Sequence, residues 1–114
     1  MVIQRNKMKR QDIEKVKGGD GIVSMVHLVD CETEKNIRML AEVTLLPGTS
    51  FGYHQHDSET EYFMILSGSG LVNDNGKEVQ VNAGDVVVTG NGALHSIANN
   101  GSVPLVFHAV IVTY

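Results

Sequence analysis

Short segments rich in β-branched residues, separated by glycine-containing turns, fill almost the whole chain after residue 20. The clearest of these segments are 22–29, 37–46, 70–81, 86–88 and 105–112. Within 70–81, the dipeptide Asn75-Gly76 favours a tight hairpin turn, because both of its residues tolerate a positive φ. No stretch of helical periodicity as long as about ten residues follows residue 20. The pattern predicts an all-β fold, either a sandwich or a barrel.

The length of 114 residues is that of one ordinary domain with a single core. We predict an N-terminal extension over residues 1–20 and an all-β domain over residues 21–114. Ile13 and Val16 lie three positions apart before Gly18, which indicates one or two helical turns ended by glycine. An edge strand, or a strand that packs on a partner subunit, fits the same segment equally well.

The N-terminal segment carries most of the positive charge of an otherwise acidic chain. The formal net charge is −4, yet six of the nine Lys and Arg residues lie in the first seventeen positions. Such a segment can attract nucleic acid or anionic lipid. Asp12 and Glu14 interrupt it and it contains no aromatic residue, so a solvated segment or an edge strand is the better interpretation. We therefore predict no nucleic-acid partner.

Cysteine content and hydrophobicity bear on the location of the protein. Cys31 is the single cysteine and cannot form an intrachain disulfide. No apolar run approaches the roughly 20 residues needed to cross a bilayer, and the N-terminus has no signal-like apolar stretch. These features predict a cytoplasmic protein without a membrane partner.

A histidine pair at 54 and 56 is the first candidate for chemistry. Alternate side chains of an extended chain share a face, so His54 and His56 point the same way and form half of a metal site. A turn at 57–59 would bring Glu61 back as a carboxylate on the neighbouring strand. Glu61 would share its face with Phe63 and Ile65, and a cation is the expected compensation for a carboxylate buried among apolar groups. A His-x-His pair alone is as consistent with a surface feature as with a ligand pair.

The spacing of ten positions resembles the two motifs of the cupin superfamily. The first motif is matched at Gly48, His54, His56, Glu61 and Gly68, and the second at Gly84, Gly92, His95 and Asn99. Gly90 stands where the family has proline, so nine of the ten positions agree. The likeness covers residues 37 to 112, and the departure affects a turn rather than a ligand.

The resemblance implies a jelly-roll (cupin) β-barrel, a homodimer, and one divalent metal ion on His54, His56, Glu61 and His95. Mixed nitrogen and oxygen ligands suit Mn, Fe, Ni, Cu, Co or Zn, and the sequence does not choose among these ions. Six-coordinate geometry would leave two positions open for water, substrate or dioxygen. An open site of this kind is more typical of catalysis than of structural metal binding.

Several further residues are candidates for the surroundings of the metal. Tyr53 and His108 are the candidate catalytic residues, although a core or interface role is the simpler interpretation of each. Phe63, Ile65 and Ile97 are predicted to line the pocket.

Two functions fit these residues. The first is a metal-dependent enzyme, an oxygenase, decarboxylase or isomerase, acting on a small oxygen-rich acid or sugar-like molecule that chelates the metal. Resemblance to oxalate-decarboxylase-type cupins is weakened because residues 49–53 contain no arginine, and Arg38 is the only arginine after the N-terminal segment. The second is a non-catalytic, metal-containing module that binds or senses a small ligand. The open metal site favours the first function, an enzyme. The scarcity of inward polar groups besides the metal ligands keeps the second function as the alternative.

Overall fold

The computed structural model describes all 114 residues, which form ten β-strands, three 3-10 turns and no α-helix. The strands are β1 Lys9–Glu14, β2 Ile22–His27, β3 Ile37–Leu45, β4 Ser50–Gln55, β5 Glu59–Ser67, β6 Ser69–Asp74, β7 Lys77–Asn82, β8 Val86–Gly90, β9 Leu94–Ala98 and β10 Leu105–Thr113. The 3-10 turns are Arg5–Lys7, Val16–Gly18 and Cys31–Thr33. No helix is long and apolar enough to cross a membrane.

The strands form two antiparallel sheets that pack face to face. The larger sheet has the order β1-β2-β3-β10-β5-β8, and the smaller has the order β4-β9-β6-β7. The predicted all-β, jelly-roll fold is therefore confirmed. One detail of the prediction is corrected: no strand pairing joins the two sheets, so the barrel is not closed by hydrogen bonds.

The core lies between the two sheets and is built from the alternate residues of each strand. On β10, Leu105, Phe107 and Ala109 are fully buried, as the two-residue period of a strand requires. Phe107 packs against Phe63 of β5 with ring centroids 4.6 Å apart. Phe51 of the smaller sheet lies 6.3 Å from both of these rings. Apolar burial between the sheets therefore fixes their separation.

The hairpin predicted around Asn75-Gly76 is present. β6 and β7 pair through Asp74 and Lys77, and the two central residues have φ values of 51° and 100°. Two successive positive φ values are the signature of a tight turn that matches the twist of the flanking strands.

The N-terminal segment contributes one strand, β1, to the larger sheet. β1 pairs with β2 along its whole length, from Lys9 opposite His27 to Glu14 opposite Ile22, and so forms an edge strand within the same chain. The 3-10 turn Val16–Gly18 then crosses to β4 of the smaller sheet. Ile13, expected in a helical turn, lies in β1 instead, and Val16–Gly18 is a single 3-10 turn with Lys17 in the left-handed conformation.

Gly90, which departs from the cupin motif, ends β8 opposite Thr60 of β5. A Cβ atom at position 90 would lie only 2.3 Å from Oγ1 of Thr60 and 3.0 Å from the carbonyl oxygen of Glu59. Any side chain, including that of proline, would push β8 away from β5 here. The glycine therefore belongs to a close strand contact and does not indicate a looser turn.

Candidate metal centre

Four side chains converge at one end of the space between the sheets, three from the strands β4, β5 and β9 and one from His56, which directly follows β4. One donor atom from each of His54, His56, Glu61 and His95 lies within 4.8 Å of the other three. His56 Nε2 is 3.0 Å from Nε2 of His54 and 3.0 Å from Nε2 of His95. Oε1 of Glu61 lies 2.9 Å from His56 Nε2 and 3.0 Å from His95 Nε2. The structure thus brings together all four residues that the sequence predicts as ligands, and this group could hold a metal ion.

The strand pairing of the smaller sheet explains how three of these side chains meet. His54 of β4 lies directly opposite His95 of β9. The pairing shifts between Phe51 and His54, where β4 advances three residues while β9 advances two. Strict alternation would place the even-numbered residues on the face opposite to Phe51. The extra residue in this β-bulge shifts the alternation by one position, so His54 and His56 point inward, as Phe51 does.

Glu61 reaches the group from the larger sheet. β4 ends at Gln55 and β5 begins at Glu59, with Ser58 in the turn at a φ of 58°. The turn expected at 57–59 is therefore present. Because β5 pairs with β8 and β10, however, the carboxylate faces the histidines across the core rather than from an adjacent strand of their own sheet.

Each histidine ring is held through its other nitrogen, Nδ1. His54 Nδ1 lies 2.6 Å from the carbonyl oxygen of Gly52, and His56 Nδ1 lies 2.5 Å from Oε2 of Glu59. Both partners are acceptors, so these Nδ1 atoms carry a proton, and the Nε2 atoms face the group, where each offers a lone pair to a cation once it holds no proton of its own. His95 Nδ1 is 2.8 Å from the hydroxyl of Thr89. Partners of this kind orient metal-binding imidazoles in proteins.

Burial and hydrogen bonds set the ionisation of these groups. Glu61 is 4% exposed, which alone would raise its pKa, but hydrogen bonds from His56 and His95 outweigh burial and its pKa is lowered. The hydrogen bond to Glu61 raises the pKa of His56, whereas burial lowers the pKa of His54. Glu61 is therefore present as a carboxylate, the form that binds a cation.

The spacing of the donor atoms fits a six-coordinate ion. Two ligands at about 2.1 Å from a metal lie about 3.0 Å apart when the angle between them is near 90°, and about 3.4 Å apart at the tetrahedral angle. Two of the three nitrogen pairs are 3.0 Å apart, which is the first value, and the third pair, at 3.2 Å, lies midway between the two values. Nitrogen lone pairs held at this distance repel one another unless a proton or a cation lies between them. The donor set therefore suits a transition-metal ion with two positions not filled by the protein.

A cavity of about 150 Å³ opens beside the four donors. Its apolar wall consists of Val16, Met25, Met39, Phe51 and Ile111. Its polar wall consists of Lys17, Arg38, Gln55, Glu59 and three of the four donor residues, His54, His56 and Glu61. The cavity is well below the 300–1,000 Å³ of typical small-molecule sites, so it suits a ligand of only a few non-hydrogen atoms.

Arg38 reaches this cavity through a second β-bulge. Met39 lies opposite Ile111 and Ile37 lies opposite Val112, so Arg38 is the extra residue of β3 and has no partner on β10. Its guanidinium donates two hydrogen bonds to Glu59, at 3.0 and 2.8 Å. This bidentate contact lowers the pKa of Glu59 and raises that of Arg38. Bulges commonly redirect a side chain in this way beside a functional site.

The other residues singled out from the sequence lie at varied distances from the donors. Phe63 is stacked on His95, with ring centroids 4.8 Å apart and planes inclined by 14°. Ile65 and Ile97 are buried in the core and do not line the cavity. Tyr53 is 46% exposed, and His108 lies 3.6 Å from Glu42 on the face of the larger sheet that points away from the core. The structure thus brings only Phe63 into contact with the donors.

Sequence reasoning missed the residues that hold or surround the donors. Glu59 and Thr89 hold two of the imidazoles, and Lys17, Arg38 and the apolar wall come from distant segments. Only Glu59 carried a usable signal, since an acidic residue three positions after a candidate histidine ligand can reach its Nδ1 atom.

Fold and site together define a small two-sheet jelly-roll protein with a buried group of three histidines and one carboxylate. The Cupin_2 family model, described as a cupin domain, matches residues 41–112. The chain belongs to the cupin family.

Two comparisons cover essentially the whole chain. An oxalate-binding protein of Thermotoga maritima is 42% identical over 113 residues, which is 98% of this chain and 93% of that protein. The crystal structure of a predicted oxalate decarboxylase from T. maritima superposes with a TM-score of 0.94 at 41% identity, covering 100% of both chains. The polyketide cyclase RemF of Streptomyces resistomycificus superposes over 98% of this chain and 78% of its own, with a TM-score of 0.78 at 19% identity. At this identity, the similarity shows only that the two proteins share a fold.

Proposed function

We propose that this protein binds one divalent transition-metal ion on His54, His56, Glu61 and His95, and through it a small oxygen-rich acid of the size of oxalate. The observation that carries the proposal is the convergence of four donor atoms, all within 4.8 Å of one another, beside a cavity of about 150 Å³. Two positions left free on a six-coordinate ion match the two oxygens of a chelating carboxylate.

The charge of the site supports an anionic ligand. A divalent ion with one carboxylate ligand leaves one positive charge, and Lys17 on the cavity wall adds a second, while the charges of Arg38 and Glu59, which also line the cavity, offset each other. The name of the T. maritima relative, an oxalate-binding protein, supports the same class of ligand. The bound metal would supply Lewis acidity toward the ligand oxygens. The chain itself orients the imidazoles through Glu59 and Thr89, and its apolar wall excludes water.

Metal analysis followed by calorimetry tests the proposal. The protein purified without added metal, or reloaded with Mn²⁺, is expected to hold about one ion per chain and to bind oxalate only when the metal is present. His95→Ala should abolish both. His108→Ala is the matched control, because that histidine lies outside the site, and it should change neither. Less than about a tenth of an equivalent after each candidate metal is offered would overturn the proposal.

Catalysis by the same centre, as an oxygenase, decarboxylase or isomerase, is the second candidate function. The two free metal positions favour it, because they leave room for a reacting substrate beside the ion. The cavity wall offers little acid–base chemistry, since Glu59 is already bonded to Arg38 and His56. Incubation of the metal-loaded protein with oxalate, followed by assay of formate and CO₂, distinguishes turnover from binding alone.

We also propose that two copies of the chain associate through the outer face of the larger sheet. Val110, Tyr62 and Val88 lie side by side across β10, β5 and β8, and Met64 lies beside Val86 in the next row. Val86 and Val88 are 57% and 56% exposed. These five side chains carry no charge, so a second copy can meet them without like-charge repulsion, as a two-fold interface requires.

Light scattering tests this association. Val88→Lys is expected to convert a dimer into a monomer. Val103→Lys changes an equally exposed valine (56%) in the loop before β10 and serves as the control. A wild-type protein that is monomeric at about 100 μM would contradict the proposal, since an interface of standard size holds at lower concentrations.

A further inference from the structure

The N-terminal turn over residues 15–19 forms one wall of the ligand cavity, and we propose that its Lys17 binds the outer carboxylate of a dianionic ligand. This inference rests on the proposed function and deepens it by naming the ligand class, a two-carbon or three-carbon dicarboxylate. The metal would take up one end of such a ligand, and Lys17 would select the second negative charge at the other end.

The turn lies against β4, the strand that carries His54 and is directly followed by His56. Val16 and Lys17 line the same cavity as His54, His56 and Glu61, although they are about forty residues away along the chain. The first twenty residues therefore contribute directly to the site and are not a detached extension.

Close backbone packing fixes the turn on β4. A Cβ atom at Gly52 would lie 2.0 Å from the carbonyl oxygen of Lys17, and one at Gly19 would lie 2.2 Å from the carbonyl oxygen of Ser50. Two hydrogen bonds close the contact, from Ser50 N to the carbonyl of Asp20 and from Asp20 N to Oγ of Ser50, both at 2.9 Å. The absence of side chains at both glycines lets the two backbones touch.

Two lysines of the turn, of which only Lys17 lines the cavity, have a strained backbone. Lys15 has φ 50° and ψ 49°, and Lys17 has φ 54° and ψ 29°, both in the left-handed region that residues other than glycine avoid. Such conformations persist only where the surrounding structure holds them in place, and they are concentrated at ligand sites. The docked glycine contacts provide that constraint here.

The charges around the cavity leave Lys17 as the cation available to a ligand. Arg38 is occupied by its bidentate contact with Glu59, whereas Lys17 has no carboxylate within 4.0 Å. The charges of Arg38 and Glu59 cancel, and Glu61 offsets one charge of a divalent ion. Together with Lys17, the filled metal site would carry two positive charges, which a dianion neutralises and a monoanion does not.

Binding of oxalate and of its monoamide, oxamate, to the Mn²⁺-loaded protein tests the assignment, because the two anions share a shape and differ by one charge. Lys17→Gln is expected to weaken oxalate binding by about three- to tenfold and to change oxamate binding by less than about twofold. Metal content should be unchanged. Lys15→Gln is the matched control, since Lys15 lies on the same turn in the same backbone conformation but does not line the cavity.

Three results would overturn the assignment in distinguishable ways. Unchanged oxalate affinity in Lys17→Gln, with intact binding by the wild type, would remove Lys17 from the site and leave the proposed function standing. An equal loss in Lys15→Gln would show that only the general charge of the turn matters. Failure of the metal-loaded wild type to bind oxalate would overturn the proposed function and this assignment with it.

Discussion

Oε2 of Glu59 accepts a hydrogen bond from Nδ1 of His56 at 2.5 Å, three residues along the chain and across the turn that joins the two sheets. Arg38 donates to both oxygens of the same carboxylate, so Glu59 is held between a guanidinium and a candidate metal ligand. A partner of this kind fixes the ring orientation and raises the basicity of the imidazole.

Replacing Glu59 by glutamine should therefore weaken metal binding. The amide can still accept a hydrogen bond, but its lost charge makes His56 a poorer ligand. We expect metal affinity to fall by about 10- to 100-fold, measured by competition with a chromogenic chelator. Glu78→Gln, an exposed change on β7, is the control. Equal affinities of the two variants would contradict this role for Glu59.

Gly52→Ala should detach the N-terminal turn from β4. The new Cβ atom would lie 2.0 Å from the backbone carbonyl of Lys17, and backbone can yield only by moving the whole turn. We expect a loss of about 1–3 kcal/mol in the free energy of unfolding, measured with urea, and faster tryptic cleavage after Lys15 and Lys17. Gly101→Ala is the control, because a Cβ atom there meets nothing closer than 3.4 Å. Unchanged tryptic cleavage in Gly52→Ala would show that the turn is not held by this contact.

Phe63→Ala should destabilise the metal-free protein strongly. Phe63 is 1% exposed and packs between Phe107 and the ring of His95. Truncating a buried phenylalanine costs about 3–5 kcal/mol, because a cavity remains. Chemical denaturation measures the change, with Val103→Ala at an exposed loop position as the control. A cost below about 1 kcal/mol would mean that the two sheets close over the vacated space.

The contact between Arg5 and Glu42 joins the N-terminal segment to β3, and we expect it to make a pH-dependent contribution to the free energy of unfolding. The hydrogen bond from Arg5 lowers the pKa of Glu42 in the folded protein. Because the pKa of Glu42 is lower in the folded chain than the value of about 4.3 in the unfolded chain, the ionised carboxylate stabilises the fold at pH values above about 4.3. This stabilisation is lost as the pH falls through the lower folded pKa.

Arg5→Gln should therefore be less stable than the wild type near neutral pH, by less than about 1 kcal/mol because the pair is exposed. The difference should disappear below the folded pKa of Glu42. Urea denaturation of both proteins at a single concentration, from about pH 7 to about pH 2.5, measures it. Arg10→Gln, on β1 and without an ion pair, should show no such pH dependence. A difference between Arg5→Gln and the wild type that is constant across this range would contradict the prediction.

The fold class and the candidate ligands were open to prediction because they depend on local regularities. A two-residue period places His54 and His56 on one face, and Asn75-Gly76 specifies its hairpin through two positive φ values. The spacing of the cupin motifs added His95, which lies 39 residues beyond His56 in the sequence and 3.0 Å from it in the structure.

The surroundings of the donors were decided only by tertiary structure. Strict alternation from the buried Phe51 would turn His54 outward, and the β-bulge that corrects its phase becomes visible only when β4 is paired with β9. Arg38 likewise enters the cavity because it is unpaired between β3 and β10. The approach of Lys17 to the cavity follows from the contact of its backbone with Gly52. The sequence by itself therefore determined the all-β class, because alternation and turn chemistry act over a few residues at a time, and its resemblance to the cupin motifs added the full set of four donor residues. Strand register and close backbone contacts each depend on two segments that are far apart in the sequence. These tertiary features determine how the donors are oriented and which residues form the walls of the cavity.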